Sequence, residues 1–187
     1  MNPVSPATPH PLQCHPATPP GTPLGLSVAV SVERDGLLLV YTVSGHTDAL
    51  RIPAPTAPGP LDGLWQHTCL EAFVAAEGGA TYREFNFSPS GQWAAYRFAS
   101  ERVRDTNAEA SPPPSLELSL TPACLVLSAR LPWAALPPRP GTLCIALSAV
   151  IEEANGHLSY WALQHPQARP DFHHPAGRSL RLALPQN

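Results

Sequence analysis

Two neighbouring segments of the chain carry polar side chains at every second position. Successive side chains of a β-strand point to opposite faces. In the segment near 67–76 the polar positions therefore share one face, and leucine, alanine and valine share the other. The segment near 81–88 separates in the same way, with phenylalanines on its apolar face. If the two strands pair through the Gly78-Gly79 turn, one sheet face holds His67, Glu71, Tyr82, Glu84 and Asn86.

This set of side chains could bind a small polar ligand. Carboxylates, amides, imidazoles and phenols donate to and accept from hydroxyl groups, and Trp65 and Trp93 flank the set. Small-molecule sites combine apolar or aromatic walls with a few polar groups of this kind. The alternative is an ordinary solvated face, which antiparallel sheets commonly have. The pattern alone leaves both interpretations open.

Tryptophans provide a second indication of a site. Trp65 lies in a turn after Gly63, and Trp161 ends a hairpin. Tryptophan usually fills the core of a small β-domain, and we expect packing for Trp133 beside Pro132. A tryptophan on a loop is instead well placed to stack on the apolar face of a sugar ring, which is our expectation for Trp65.

The elements that must position these residues are strands. Alternating runs surround an Asp35-Gly36 turn and an Asn155-Gly156 turn, both strong hairpin signals. The chain contains 25 prolines, which oppose long helices. The sequence predicts nine or ten short strands in a single-domain antiparallel β-sandwich, all-β and jelly-roll-like. Residues 1–23 are predicted to be a Pro-rich, loosely docked N-terminal arm, and residues 24–187 the sandwich domain.

Composition excludes several classes of function. The formal net charge is −3 and there is no basic run, which argues against nucleic-acid binding. All eleven basic residues are arginine, so lysine-based covalent chemistry is excluded. We find no signal peptide and no membrane-spanning run, and the four cysteines lack metal-ligand spacing. We expect a cytoplasmic protein without a membrane partner, and the oligomeric state stays open.

The block from Gly63 to Phe98, with its flanking Asp62, resembles the DOMON-like sandwiches and, more distantly, the family-nine carbohydrate-binding modules of xylanases. The residues that carry the resemblance are DGLWQHTCLEAFV, then YREFNFSPSGQWAAYRF, and later IEE, YWAL and PDFH. The resemblance covers most of the chain after residue 25. It implies a β-sandwich that binds a ligand without catalysis, the ligand being a sugar in some branches and haem in others.

The resemblance also implies roles for particular residues. In the xylan-linked modules two tryptophans clamp a terminal sugar, and a carboxylate and an amide bond its hydroxyls. The matching positions here are Trp65, Glu71 and Asn86, with Trp161 as the partner tryptophan. The modules have a basic residue beside the amide, where this chain has Glu84. A sugar or sugar-like metabolite is the expected ligand, and no cofactor is expected.

Other functions are alternatives. His165, Asp171 and His173 have the composition of a metal site, although they lie in a Pro-rich loop without a supporting helix. Haem could be held by two histidines, such as His67 and His165, and paired carboxylates could also bind calcium. Glu71 and Glu84 could form a glycosidase pair, but we expect no enzyme activity. A structural domain that recruits a partner protein is the last alternative.

Overall fold

The structure, a computed structural model, describes residues 8–107, 111–138 and 141–184. The described residues form thirteen strands. In chain order these are β1 His10–Cys14, β2 Leu24–Glu33, β3 Gly36–Gly45, β4 Gly59–Pro60, β5 Cys69–Ala76, β6 Tyr82–Phe87, β7 Gln92–Ser100, β8 Val103–Arg104, β9 Ser115–Thr121, β10 Cys124–Pro132, β11 Thr142–Glu152, β12 Leu158–Ala162 and β13 Leu180–Ala183.

Helical structure in the described ranges is limited to single 3-10 turns of three residues. These turns are Thr47–Ala49, Leu64–Gln66, Trp133–Ala135 and Pro175–Gly177. Among the described residues, no helix is long and apolar enough to cross a membrane.

The strands form one continuous sheet that folds into two layers. Its order is β4-β7-β6-β5-β11-β12-β1-β2-β3-β10-β9, with β13 also paired to β11 and β8 to β7. Strand β1 pairs with β12 on one side and with β2 on the other, so it joins the two layers. The result is an all-β sandwich, which confirms the predicted class; the strand count exceeds the nine or ten expected.

The core lies between the layers and follows from side-chain alternation. Leu70, Ala72 and Val74 of β5 face inward, as do Phe85 and Phe87 of β6. Their partners from the second layer are mainly leucines and valines of β2, β3 and β10. The opposite face of β5 and β6 is therefore free to carry the polar residues.

Most strands lie where the sequence predicts them, including the hairpins at the Asp35-Gly36 and Asn155-Gly156 turns. The exceptions are β1, β4 and β8, which the sequence did not predict. Strand β4 and strand β8 have only two residues each and lie in Pro-rich or irregular segments. Strand β11 has strand neighbours on both sides, as its apolar composition indicates.

The segment predicted as a loosely docked arm needs a correction. His10–Cys14 is a strand with partners on both sides, Leu12 is buried in the core and His15 is only 1% exposed. The Glu153 carboxylate also accepts hydrogen bonds from the backbone N–H groups of Gly21 and Thr22. Proline has no backbone N–H, so a strand tolerates it at a position where no N–H has to donate to a neighbouring strand. Residues 1–7 lie outside the described part of the chain.

One buried hydrogen bond fixes β5 against the second layer, and we predict that its loss destabilises the fold. The phenol of Tyr41 donates to the backbone carbonyl of Glu71 at 2.7 Å. Tyr41→Phe removes the donor and leaves a buried acceptor without it, so we expect a loss of about 1–2 kcal/mol in the free energy of unfolding. Urea unfolding measures the loss. Half-buried Tyr160→Phe is the control, and equal effects of the two substitutions would contradict the prediction.

Candidate functional site

A cavity of about 590 Å³ lies on the outer face of the layer that contains β5, β6, β7, β11 and β12. Its floor consists of side chains that point away from the core. Glu71 lies opposite Ser148 of β11 and Asn86 of β6, and Glu84 lies between Phe73 of β5 and Tyr96 of β7. The two carboxyl groups therefore come from adjacent positions at the centre of a paired sheet.

Glu71 is a buried carboxyl group with few partners. Its side chain lines the cavity, yet the residue is only 3% exposed. Oε2 accepts from the Ser148 hydroxyl at a long 3.5 Å, and Oε1 has no hydrogen-bond partner. Burial raises the pKa of Glu71 well above its ordinary value, and the nearby Glu84 raises it further. The neutral acid, which can both donate and accept, is therefore favoured.

Glu84 is the second carboxyl group of the floor. Its Oε1 accepts from the amide of Asn86 at 2.8 Å. Burial raises the pKa of Glu84 to about 7, although the Asn86 hydrogen bond and the charges of Arg104 and Arg102 oppose the shift. Near neutral pH the protonated and ionised forms of this carboxyl group are therefore similarly populated. The Oδ1 atom of Asn86 is buried without a hydrogen-bond partner.

His173 lines the cavity beside Glu84. The backbone N–H of Arg102 donates to the Tyr82 phenol at 3.1 Å, so the phenol proton can point to Nδ1 of His173 at 2.7 Å. Nε2 lies 3.7 Å from Oε2 of Glu84. Burial, aided by Arg102, lowers the pKa of His173 to about 4. Between about pH 4 and 7 both groups favour their neutral forms, so the contact is not an ion pair.

Aromatic side chains form the walls. Trp65 is 52% exposed beside the cavity, while Tyr160 and Phe172 pack together with ring centroids 6.1 Å apart. Phe73 and Phe98 lie against the floor. An exposed indole beside buried carboxyl groups combines an apolar stacking surface with directed hydrogen bonding.

Two arginines line the cavity, and each faces an aspartate. Arg102 contacts Asp171 at 2.7 Å, and Arg104 lies 3.8 Å from Asp62. Arg102 has a left-handed backbone with φ of 57°, a conformation uncommon for a residue other than glycine. These pairs balance charge at the mouth of the cavity.

The turn that carries Trp65 is anchored from the side. It begins at Gly63, whose φ of 78° suits glycine, and continues as the turn Leu64–Gln66. Next to it, Nδ1 of His67 contacts the buried carboxylate of Glu152 at 2.8 Å, which also accepts from Arg51 at 2.7 Å. The end of the turn that carries Trp65 is therefore tied to β11 through His67 and Glu152.

The structure brings only part of the predicted set to the cavity. Trp65, Glu71 and Glu84 line it. Asn86 and Tyr82 do not line the cavity themselves. Asn86 hydrogen-bonds to Glu84 and Tyr82 to His173, and both of these partners line it. These placements agree with the face predicted from alternation.

Three predicted residues do not line the cavity, which corrects their predicted placement. His67 is on the polar face but bonds Glu152 outside the cavity lining, and Trp93 lines a neighbouring depression. Trp161 is 6% exposed in the core, where its indole N–H donates to Ser159. The alternation of β12 points Tyr160, not Trp161, toward the cavity.

The residues of the metal alternative do not converge. His165 contacts the backbone carbonyl of Gln13, Asp171 pairs with Arg102, and His173 contacts Tyr82. Within the described ranges, no group of three or more His, Cys, Asp or Glu side chains could hold a metal ion. His67 contacts Glu152 of β11, and His165 contacts the backbone carbonyl of Gln13 of β1. The haem and calcium alternatives stay predictions.

Sequence reasoning missed several lining residues. Tyr96 and Tyr160 follow the strand alternation and could have been found from it. Arg102, Arg104 and Phe172 come from short or irregular segments, and no spacing rule places them beside β6.

Solved structures of similar fold are available for comparison. A candidate carbohydrate-binding protein of Bacteroides uniformis is 22% identical, with a TM-score of 0.66 over 91% of this chain and 83% of that chain. The chain shares this β-sandwich fold. A carbohydrate binding module family 9 (CBM9) of Caldicellulosiruptor kristjanssonii in complex with cellotriose is 9% identical, with a TM-score of 0.54 over 84% of this chain and 72% of that chain.

A CBM9 from the same organism in complex with glucose is also 9% identical. Its TM-score is 0.56, over 94% of this chain and 84% of that chain. No protein-family model matches the sequence, and no curated protein matches it significantly. The expected likeness to carbohydrate-binding modules is therefore supported at the level of the fold, while membership of the DOMON-like group stays a prediction.

The raised pKa of Glu84 predicts a pH-dependent stability. Between its ordinary value of 4.5 and about 7, the folded protein holds a proton that the unfolded chain has lost. The contribution of Glu84 to stability therefore falls as pH rises through this window, by about 2–3 kcal/mol between pH 5 and 8. The lowered pKa of His173 has the opposite effect below about pH 6.5, so the contribution of Glu84 is read from the difference between the wild type and Glu84→Gln. Glu84→Gln keeps an acceptor for Asn86 and should flatten the fall in urea unfolding. A slope unchanged from that of the wild type would contradict the prediction.

Proposed function

We propose that the cavity binds a carbohydrate or sugar-like metabolite without catalysis. The observation that carries the proposal is the combination of two buried carboxyl groups, Glu71 and Glu84, with the exposed indole of Trp65 around one cavity. A sugar ring has an apolar face and a perimeter of hydroxyl groups, so it needs both kinds of partner.

The hydrogen-bonding capacity of the floor suits hydroxyl groups. The Oε1 atom of Glu71 lacks a partner, and a neutral carboxyl can donate to one hydroxyl and accept from another. Glu84 offers a second carboxyl in the same cavity. A buried polar group without a partner is unfavourable, so a ligand that supplies the missing bond gains affinity.

Charge in the cavity favours an uncharged ligand. Arg102 and Arg104 already face Asp171 and Asp62, and burial favours the neutral form of Glu71. Recognition would then depend on directed hydrogen bonds and stacking. The volume of about 590 Å³ lies within the usual range for small-molecule sites.

The raised pKa values support binding rather than hydrolysis. Hydrolysis by two carboxyl groups needs one of them ionised, as nucleophile or general base. Burial favours the neutral form of Glu71 and raises the pKa of Glu84 to about 7, so below neutral pH neither carboxyl group is predominantly ionised. The fold shared with a CBM9 in complex with glucose and another in complex with cellotriose also supports a binding role. Neither haem nor a metal ion is part of the proposal.

Loss of Trp65 or Glu71 should weaken sugar binding. A glycan array, followed by calorimetry with glucose and cellotriose, provides the measurement. For Trp65→Ala we expect about tenfold or greater weakening, because stacking is lost at an exposed position where the fold does not depend on the side chain. Glu71→Ala should weaken binding similarly and leave the melting temperature unchanged or higher.

Leu120→Ala is the control for Trp65→Ala. Leu120 is 49% exposed on β9 of the other layer, close to the exposure of Trp65. Its removal should leave affinity unchanged. Wild-type affinity in the double variant Trp65→Ala/Glu71→Ala, or absence of sugar binding by the wild type across the array, would refute the proposal.

A further inference from the structure

The two ends of the sheet differ in how they are protected. At one end, β4 consists of only Gly59 and Pro60, and proline has no backbone N–H to offer to a further strand. At the other end, β9 has seven residues, contains no proline, and pairs with β10 without a bulge. Among the described residues, no strand pairs with the outer edge of β9. Natural sheets usually protect such an edge, because its free N–H and C=O groups can pair with another chain.

Leucines line one face of this edge. Leu116, Leu118 and Leu120 lie opposite buried core residues of β10, so they share the core-facing side of the sheet. Leu116 packs against the core, whereas Leu118 is 36% and Leu120 is 49% exposed. A further strand that carried apolar side chains on the same face would shield these two leucines from water.

The backbone groups of the same leucines point outward. Thr121 and Cys124 flank a two-residue loop and pair with each other, so they are the hydrogen-bonded pair that closes the hairpin. Residues of an antiparallel strand alternate between bonding one neighbour and bonding the other. The N–H and C=O groups of Leu116, Leu118 and Leu120 therefore point away from β10. Every second residue of β9 thus offers a donor and an acceptor to a further antiparallel strand.

The sequence of β9 complements itself in one antiparallel register. When Leu118 lies opposite Leu118 of a second copy, Leu116 lies opposite Leu120. On the other face of the sheet, Glu117 then lies opposite Ser119. All seven residues are paired, leucine meets leucine, and no like charges face each other. Centring the pair on Glu117 instead would oppose two carboxylates and leave one end of each strand unpaired.

We propose that the chain forms a homodimer in which the β9 strands of two copies pair antiparallel about a two-fold axis at Leu118. A second copy fits this edge because β9 matches itself over its whole length, and because its one charged side chain, Glu117, meets an uncharged residue. The contact is isologous, so each copy uses its open β9 edge in closing the dimer. The dimer is independent of the proposed sugar binding, since the cavity lies on the other layer.

Sedimentation equilibrium without sugar tests the dimer. One strand pair buries less than the roughly 800 Å² per partner of a standard interface, so we expect a dissociation constant of about 10–500 µM. Leu118→Arg places two guanidinium groups opposite each other at the axis and should weaken the dimer by about tenfold or more. Val32→Arg is the matched control, because Val32 is also 36% exposed in the same layer, with two strands between β2 and β9. It should leave the dimer unchanged.

Substitutions of Ser119 test the register. Ser119→Arg brings a cation opposite Glu117 of the other copy, and the two-fold axis repeats the pair, so the dimer should tighten by about threefold to thirtyfold. Ser119→Glu opposes carboxylates and should weaken it by a similar factor. Ser119 is exposed, so neither change should alter the circular dichroism spectrum.

Three results would overturn the proposal. The first is a protein that stays monomeric up to about 1 mM. The second is a dimer that Leu118→Arg weakens no more than Val32→Arg does. The third is a dimer that Ser119→Arg and Ser119→Glu shift in the same direction, because the register centred on Leu118 requires opposite shifts.

Discussion

Two carboxyl groups held out of water are the constraint around which this face of the protein is organised. Glu71 and Glu84 lie on central strands, where neighbouring strands shield them. A buried charge without compensation is strongly unfavourable, so such groups stay neutral or acquire partners. Asn86 supplies one partner, and His173 stays neutral beside Glu84. The arginines at the mouth face Asp171 and Asp62, which limits the positive charge available to ionise the floor.

The floor and the walls of the cavity differ in rigidity. Glu71 belongs to a strand whose carbonyl is bonded to Tyr41 in the other layer, so its position is tied to the core. Trp65 lies on an exposed turn, and His67 at the end of that turn contacts Glu152 of β11. A site with a fixed polar floor and an anchored but exposed aromatic wall is largely pre-organised, which lowers the entropy lost when a ligand binds.

Side-chain alternation explains how far the sequence could predict this arrangement. It correctly placed Glu71 and Glu84 on one face, because both strands are regular and joined by a short turn. The same rule puts Trp161 and Tyr160 on opposite faces of β12. The prediction that Trp161 lies in the site followed the family resemblance and not this alternation. Arg102 could not be predicted, since its place depends on a left-handed backbone after β7. Strand β1 was missed because its composition lacks the usual strand pattern.

The strand that joins the two layers also affects the order in which the protein can form. Strand β1 is synthesised before its partner β12, and most of the sandwich lies between them in the chain: Gln13 pairs with Ala162. The sandwich therefore cannot close along this seam until β12 has emerged from the ribosome. Until then β1 can pair only with β2, and its other edge stays open to neighbouring nascent chains. Such distant pairing favours slow closure, so synthesis at high density would favour exchange of β1 between molecules.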